Sequence, residues 1–142
     1  MSVPNANVWV SINIDVPDLE AAIRFYSHGL GLRVGRRFGT DAVEMTGAAL
    51  RIYLLLNEAG SAAFGREGAP PRSYDRHWTP VHLDFISSDV RSAVERACRA
   101  GALLEQPVTS YDWGSMAVLS DPFGHGFCLI EFSERGYDAI AT

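Results

Sequence analysis

A histidine and an aspartate two residues apart, His82 and Asp84, form the pair in this sequence best suited to acid–base chemistry. Alternate residues of a β-strand point to the same face, so a strand over "HLDFI" places both side chains on one side. Histidine titrates near neutral pH, and a neighbouring carboxylate stabilises its charged form. We therefore expect His82 to act as a general base with Asp84 as its partner, if the chain is an enzyme.

A cysteine, Cys128, lies in the middle of a predicted strand, "GFCLIEF", which follows the turn "DPFGHG". Three interpretations are open: a small buried residue that packs, a metal ligand, or a reactive thiol. A reactive thiol needs a pKa that is lowered by a nearby cation, such as a protonated His82. Glu131 lies three residues further on, and we expect it on the opposite face.

An internal repeat predicts the elements that position these residues. The stretch "SINIDVPDLEAAIRFYSHGLGL" aligns with "HLDFISSDVRSAVERACRAGAL", about half a chain later. Each copy opens with a strand pattern and continues with an aspartate, Asp18 or Asp89, of the type favoured at a helix N-cap. Apolar residues at i, i+3, i+4 and i+7 then predict one buried helix face. Glycine is expected to close both helices, at Gly29 or Gly31 and at Gly101.

Three strand-like stretches follow each helix, so each half is predicted to be a βαβββ module. The modules are expected at about 8–56 and 78–132, with a linker or flap at about 57–77 that is rich in Gly, Ala, Pro and Arg. The tail, 133–142, is a short helix or is frayed. The sequence therefore predicts a single α+β domain in which two βαβββ modules form a concave, eight-stranded cup, a natural small-molecule site.

Polar residues alternate with apolar ones along the first strand of each module. The apolar set is expected to pack against the helix and the polar set to line the cup. Together with aromatic residues around the mouth, the candidate ligand-binding residues are Ser11, Asn13, Asp15, Tyr53, Trp78, Trp113 and Cys128. A hydrogen-bonded polar network without a ligand is the alternative, because polar side chains on an inner face need partners.

Composition excludes several function classes. The chain has 142 residues, 47% of them apolar, and a formal net charge of −5, which argues against nucleic acid and favours cationic or neutral ligands. No apolar run approaches the roughly 20 residues of a membrane span, and "MSVPNANVWV" does not resemble a signal peptide. Two cysteines do not make a disulfide framework, so we expect a cytoplasmic location. Five arginines are interpreted as solvated loop or strand-edge charges: Arg36, Arg37, Arg66, Arg72 and Arg76.

The stretches "VPDLEAAIRFYSHGLGLRVG", "VHLDFISSDVRSAVERACRAGA" and "SDPFGHGFCLIEF" resemble the vicinal-oxygen-chelate superfamily, which includes glyoxalase I, bleomycin-resistance proteins and extradiol dioxygenases. The resemblance covers about 8–132 and implies a glyoxalase-like arrangement of the two modules. It is specific for the fold and weak for the reaction, because one scaffold serves many chemistries.

Metal-using members of that superfamily place a ligand on the first and last strand of each repeat. The corresponding positions here hold Ser11, Tyr53, His82 and Cys128. Serine and tyrosine are neutral, poor ligands at pH 7, and two ligands are too few for a tight zinc site, although Asp84 can serve as a third. We therefore expect no resident metal, while a divalent metal stays open as the alternative.

Two functions follow from the resemblance and the residues. The first is a metal-independent, small-molecule-binding protein of the bleomycin-resistance type. The alternative is a glyoxalase- or dioxygenase-type enzyme, a lyase, isomerase or oxygenase, that uses His82 with Asp84 and can be metal-assisted. The resemblance also implies a homodimer. Ser11, His82 and Cys128 are predicted to face a common cavity.

Overall fold

The computed structural model describes residues 8–142, which form two βαβββ modules joined by a linker. The first module contains β1 (Ile12–Val16), α1 (Leu19–Arg24), β2 (Arg33–Phe38), β3 (Ala42–Thr46) and β4 (Ile52–Leu56). The second contains β5 (Leu83–Ile86), α2 (Val90–Arg99), β6 (Leu103–Tyr111), β7 (Gly114–Ser120) and β8 (Gly126–Phe132), and a 3₁₀ turn (Gly136–Ala139) follows it. The predicted α+β fold is confirmed. Within residues 8–142 no helix is long and apolar enough to cross a membrane.

Both helices begin at the aspartates that the repeat predicted. Asp18 Oδ1 accepts a hydrogen bond at 3.0 Å from the backbone amide three residues on, and Asp89 Oδ1 accepts the equivalent bond at 3.1 Å. Each carboxylate therefore satisfies one of the amides that a helix leaves unpaired at its start. Gly31 and Gly101 follow the helices with φ of 74° and 116°, a region that glycine adopts without a Cβ clash.

Helix α1 continues into a π-helical turn, Phe25–Gly29, that reaches the second module. Two consecutive aromatic residues at its start, Phe25 and Tyr26, are almost fully buried. The ring of Phe25 lies 6.3 Å from that of Phe127, and the Tyr26 hydroxyl donates to Asp121 Oδ2 at 2.7 Å. This turn therefore joins α1 to the turn and strand that close the chain's second sheet.

The eight strands form two four-stranded sheets with the orders β1-β4-β3-β2 and β5-β8-β7-β6. In each sheet the module's first and last strands pair in parallel, and the other neighbours are antiparallel. β1 and β5 are consequently edge strands. Within residues 8–142, packing, side-chain contacts and the linker hold the sheets together, and no ladder runs between them.

One hydrophobic core serves both modules. Alternate strand residues such as Val43, Leu54, Leu119 and Phe127 face the helices and are buried. The intervening residues face away from the helices. We call the two surfaces that they form the helix-free faces of the first and second sheets, and these faces carry the polar strand residues singled out above.

The linker folds back on itself before it reaches the second module. Ala62 and Pro71 form an isolated antiparallel bridge, and Arg72 donates its amide to Ser61 O at 2.8 Å. Residues 72–78, which we call the strap, run from the end of β1 to the turn that precedes β8. This path is defined by the strap's contacts with both places, described below.

Candidate ligand-binding site

Three side chains meet on the helix-free face of the second sheet: His82, Asp84 and Cys128. Asp84 on β5 pairs in register with Cys128 on β8, and His82 lies two residues before Asp84 on the same side. His82 Nε2 lies 3.3 Å from Asp84 Oδ1. The ligand atoms of the three residues all lie within 4.8 Å of one another. The predicted partnership of His82 and Asp84 is therefore present in the geometry.

The members of this cluster differ in exposure and charge. The side chains of His82 and Asp84 are 35% and 37% exposed, whereas Cys128 is buried. Burial, and then the negative charge and hydrogen bonding of Asp84, raise the pKa of the Cys128 thiol to about 11. A reactive cysteine needs the opposite shift, so this raised pKa opposes the reactive-thiol interpretation of Cys128. The thiol is protonated at neutral pH.

The indole of Trp78, at the end of the strap, lies against His82. The Trp78 ring lies 4.8 Å from the His82 ring at an interplanar angle of 33°. It also lies directly over Gly126: a Cβ at that glycine would approach Trp78 Cε3 to 2.1 Å. Only a residue without a side chain lets the indole come this close to the start of β8. The Arg76 guanidinium lies 5.7 Å from the Trp78 ring, within cation–π distance.

The helix-free face of the first sheet differs from that of the second, because it carries a buried carboxylate, Glu44. Glu44 on β3 lies beside Tyr53, which pairs in register with Asn13 on β1. Glu44 Oε2 accepts from Arg36 Nη2 at 2.7 Å and from Arg51 Nη1 at 2.6 Å, and the Tyr53 hydroxyl lies 3.4 Å from it. Its side chain is only 4% exposed. Tyr53 is thus engaged with a carboxylate of its own sheet.

The arginines set the protonation state of Glu44. Hydrogen bonding by Arg36 first, and also by Arg51, lowers the pKa of Glu44 to about 2 against the opposing effect of burial. Sequence analysis missed this residue. The available signal was a glutamate between Val43 and Met45 at a position that alternation assigns to the face opposite the core.

Asp15, at the end of β1, is held by the linker. Its carboxylate accepts from Arg72 Nε and from Asn57 Nδ2, each at 2.8 Å. The Arg72 side chain is 17% exposed, so its interpretation as a solvated charge is wrong. Arg36 and Arg76 are likewise paired, with Glu44 and Glu105 respectively. Asp15 and Glu105 lie 57 and 29 residues from Arg72 and Arg76, so local patterns do not reveal these two pairs. Glu44 lies 8 residues from Arg36, on the neighbouring strand of the sheet.

The remaining candidate residues lie apart from the cluster. Ser11 precedes β1 and is exposed. Trp113 stacks on Tyr111 at 5.1 Å and contacts Tyr137 at 5.5 Å, at the end of the second sheet where β6 turns into β7. Among residues 8–142, no hydrogen bond or ion pair joins Ser11 or Trp113 to the His82 cluster. The structure therefore brings together His82, Asp84, Cys128 and Trp78, and places the other candidates elsewhere on the two helix-free faces or beside the linker.

A cavity of about 680 Å³ lies between the modules. Its walls are mostly apolar and come from both sheets, and α2 adds two arginines, Arg96 and Arg99. Asp84 lines this cavity and also belongs to the cluster, whereas the lining does not include Ser11, His82 or Cys128. The predicted cavity common to those three residues is thus not the large cavity of the structure.

The donor atoms of the cluster and their spacing can be compared with what a metal ion requires. Histidine nitrogen, carboxylate oxygen and thiolate sulfur are zinc ligands. Their atoms lie within 4.8 Å of one another, a bound wider than the roughly 3.3–3.8 Å that tetrahedral bonds of about 2.0–2.3 Å to one ion require, so small side-chain movements would bring them to that ion. Hard ions such as Mg²⁺ want more oxygen ligands than this face offers. The set therefore fits a zinc ion with three protein ligands, provided that Cys128 loses a proton that it otherwise holds tightly.

Comparison with known proteins places the fold. A family model described as a glyoxalase-like domain matches residues 11–130. The chain is 31% identical over 126 residues to CFP32 of Mycobacterium bovis and Mycobacterium tuberculosis, provisionally named a glyoxylase, and the match covers 87% of this chain and 43% of CFP32. The chain thus spans less than half the length of the curated relatives that it matches.

Solved structures of other proteins have the same fold. A glyoxalase-related enzyme from Fulvimarina pelagi superposes with a TM-score of 0.67 at 18% identity, over 89% of this chain and 88% of that chain. The fosfomycin resistance protein FosX from Listeria monocytogenes superposes with a TM-score of 0.67 at 16% identity, over 92% of this chain and 97% of that chain. At these identities the likeness shows the fold alone. From the family match, the chain belongs to the glyoxalase-like domain family, in agreement with the predicted vicinal-oxygen-chelate superfamily.

Proposed function

We propose that this glyoxalase-like domain binds a small molecule on the helix-free face of its second sheet, without a resident catalytic metal. The observation that carries the proposal is the His82–Asp84 pair beneath the Trp78 ring. A planar indole beside a half-exposed imidazole and carboxylate offers both a stacking surface and hydrogen-bonding groups. His82 and Asp84 would then recognise the polar part of the ligand.

The surroundings of the cluster favour a particular ligand class. Beyond Asp84, β5 ends at Ile86, which is 55% exposed and pairs in register with Ile130 on β8. The net charge of −5 and the Asp84 carboxylate disfavour an anion. We therefore propose a neutral or cationic aromatic compound, with its ring against Trp78 and its polar group at Asp84.

Two features support binding without a metal. The residues at the first-module positions, Ser11 and Tyr53, carry no charge, and the Tyr53 hydroxyl is directed at Glu44. The only thiol of the cluster, Cys128, has its pKa raised to about 11, which opposes its use as a ligand.

An enzyme is the second candidate, and the 3.3 Å approach of His82 Nε2 to Asp84 Oδ1 favours it. When Nε2–H donates to the carboxylate, Nδ1 carries the lone pair and is the atom that can take a proton from a substrate or a water molecule. Asp84 would orient the ring and stabilise the imidazolium that results. Bound zinc, if present, would supply Lewis-acid chemistry at the same three residues.

We also propose that the chain forms a homodimer. Its support in the structure is the position of β1 and β5 at sheet edges, together with the exposure of Val81, at 82%, and Ile86 beside the β5 edge. Light scattering coupled to size-exclusion chromatography measures this directly, and a monomer mass at 100 µM protein, about the upper end of such experiments, would reject it.

The proposed function is tested by a metal measurement and a ligand measurement on the same sample. Protein purified without chelators or a histidine tag is analysed for zinc, nickel, manganese and iron per chain, and is then titrated with Zn²⁺ by calorimetry. Near-stoichiometric metal or tight zinc uptake would overturn the metal-free proposal and place the enzyme first.

Ligand binding is read from thermal shifts with a panel of neutral and cationic aromatic amines. A compound that stabilises the protein should lose most of its effect with His82→Gln or Asp84→Asn. The matched control is His28→Gln, at an exposed histidine in the π-helical turn. Equal shifts for all four proteins would contradict the assignment of the site.

A further inference from the structure

Two histidines outside the candidate site, His77 and His125, form a continuous row of ring nitrogens between two backbone carbonyls. His77 Nδ1 lies 2.9 Å from Asp75 O, and His77 Nε2 lies 3.0 Å from His125 Nδ1. His125 Nε2 lies 2.7 Å from Asp15 O. The row therefore begins and ends at carbonyl oxygens, which only accept hydrogen bonds.

Counting protons along this row gives its charge. Each outer nitrogen must carry a hydrogen to donate to its carbonyl, and one hydrogen must lie between the two inner nitrogens. Three hydrogen bonds thus need three N–H groups, whereas two neutral imidazole rings supply two. With both rings neutral, one of the three contacts becomes a lone pair facing a carbonyl or another lone pair, which is unfavourable.

We propose that His77 and His125 share one extra proton as an imidazole–imidazolium pair, and that this proton latches the strap onto the junction of the two modules. His77 belongs to the strap, His125 to the turn before β8, and Asp15 O to the end of β1. His77 N also donates to Gly124 O at 2.9 Å, which holds the same residue by its backbone. The latch therefore fastens three separate parts of the chain at one point.

Charged groups from three elements face the pair. From β1, the Asp15 carboxylate faces this region. Arg72 forms an ion pair with it, and Asn57 donates a hydrogen bond to it. From the strap, Asp75 contributes its carbonyl and lies two residues before His77, while Arg76 is paired with Glu105 of β6.

The third element is the turn that carries His125. Its buried carboxylate, Asp121 Oδ1, accepts the backbone amide of His125 at 3.0 Å, so a negative charge lies beside the pair. The Tyr74 ring, edge-on to His125 at 5.9 Å, adds an uncharged wall, and its hydroxyl donates to Asn57 O. The surroundings thus offer carboxylates and carbonyls to an added positive charge, and the two nearest arginines are each already paired.

Docking of the strap is expected to depend on pH. The docked strap holds the extra proton, so docking is favoured at acidic pH and weakens when that proton is lost at higher pH. Trp78, the next residue after His77, covers His82 and Gly126. Release of the latch would therefore loosen the indole over the candidate site, whatever ligand that site takes.

The test needs no ligand, so its outcome is independent of the proposed function. Long-range ¹H–¹⁵N spectra of the four histidines, recorded from pH 5 to 8.5, report which ring nitrogens carry hydrogens. We expect His125 to hold its hydrogen on Nε2 and the pair to gain one proton shared by both rings as pH falls. Spectra with both rings neutral throughout this range, or with His125 Nε2 carrying no hydrogen, would overturn the proposal.

Hydrogen–deuterium exchange of the strap, corrected for the intrinsic pH dependence of exchange, gives the second readout. Exchange in residues 72–78 should rise about tenfold from pH 5.5 to 8, the scale of one charge-assisted hydrogen bond. His77→Gln keeps a neutral donor toward His125 Nδ1, so it should leave the strap docked but abolish the pH dependence. The control His28→Gln should behave as the wild type. A pH dependence in His77→Gln equal to that of the wild type would also overturn the latch.

Discussion

The Cys128 thiol offers a direct measurement of the electrostatics of the candidate site. Its pKa, about 11 in the folded protein against an ordinary 9.0, makes the thiolate roughly one part in 1,000 at pH 8 instead of one part in 10. Alkylation proceeds through the thiolate, so the smaller thiolate fraction alone should slow native Cys128 about 100-fold relative to the same residue in unfolded protein. The higher intrinsic nucleophilicity of a thiolate with a raised pKa offsets part of this factor. Burial of the sulfur can only add to this protection.

The assay uses a Cys98→Ser background, so that Cys128 is the one remaining thiol. Iodoacetamide modification is followed by intact mass at a series of pH values. The logarithm of the native rate should rise with unit slope to about pH 11. Asp84→Asn removes the carboxylate that helps to raise the pKa, so it should shift this profile to lower pH and speed the reaction at pH 8 several-fold. Asp112→Asn, at an exposed carboxylate away from the cluster, is the control.

The reasoning is refuted if the native rate levels off near pH 9, or if Asp84→Asn leaves the profile unmoved. In the first case burial does not raise the pKa of Cys128. In the second case the Asp84 carboxylate does not act on the thiol, and the cluster is not the electrostatic unit described here.

Three further predictions concern the surroundings of the site. Tyr26→Phe removes a buried hydrogen bond to Asp121 and should cost about 1.5–2 kcal/mol, or about 5–7 °C in Tm for a domain of this size, in thermal unfolding; no change in Tm would contradict it. The pKa of Glu44 is lowered from 4.5 to about 2, so the stability that its ion pairs contribute is complete above about pH 4.5 and is lost as pH falls through 2. Glu44→Gln should therefore reduce the fall of the urea unfolding midpoint at acidic pH. Gly126→Ala should push the Trp78 indole outward with the fold intact, which acrylamide quenching would detect as increased accessibility; an unchanged quenching profile would argue against the close approach.

The parts of the fold that local chemistry determines could be predicted from the sequence. Asp18 and Asp89 cap helices because a short carboxylate reaches amides three residues on, and alternation along each strand assigned Asp84 and Cys128 to the same face. Glu131 was expected opposite Cys128, and its carboxylate does bond Val90 N at the start of α2. Each of these predictions depends on residues within one element or on strands that pair within one module.

Interactions between distant elements could not be predicted in this way. Arg72 is held by Asp15, 57 residues away, and nothing around either residue indicates the other. Glu44 gathers arginines from the neighbouring strand and from just before β4, which requires the strand register to be known. The covering of His82 by Trp78 depends on the path of the strap, and a path set by long-range hydrogen bonds leaves no periodic pattern in the sequence.

The π-helical turn at the end of α1 has a consequence for how the chain folds. Phe25 and Tyr26 belong to the first module, but their packing partners, Phe127 and Asp121, lie in the last quarter of the chain. During synthesis the first sheet can form as soon as β4 emerges, yet Phe25 and Tyr26 lack these partners until β8 is made. Contacts of such high sequence separation form late and slow folding. We therefore expect both modules to unfold in one cooperative transition, since the first module alone would leave its most apolar helix end in water.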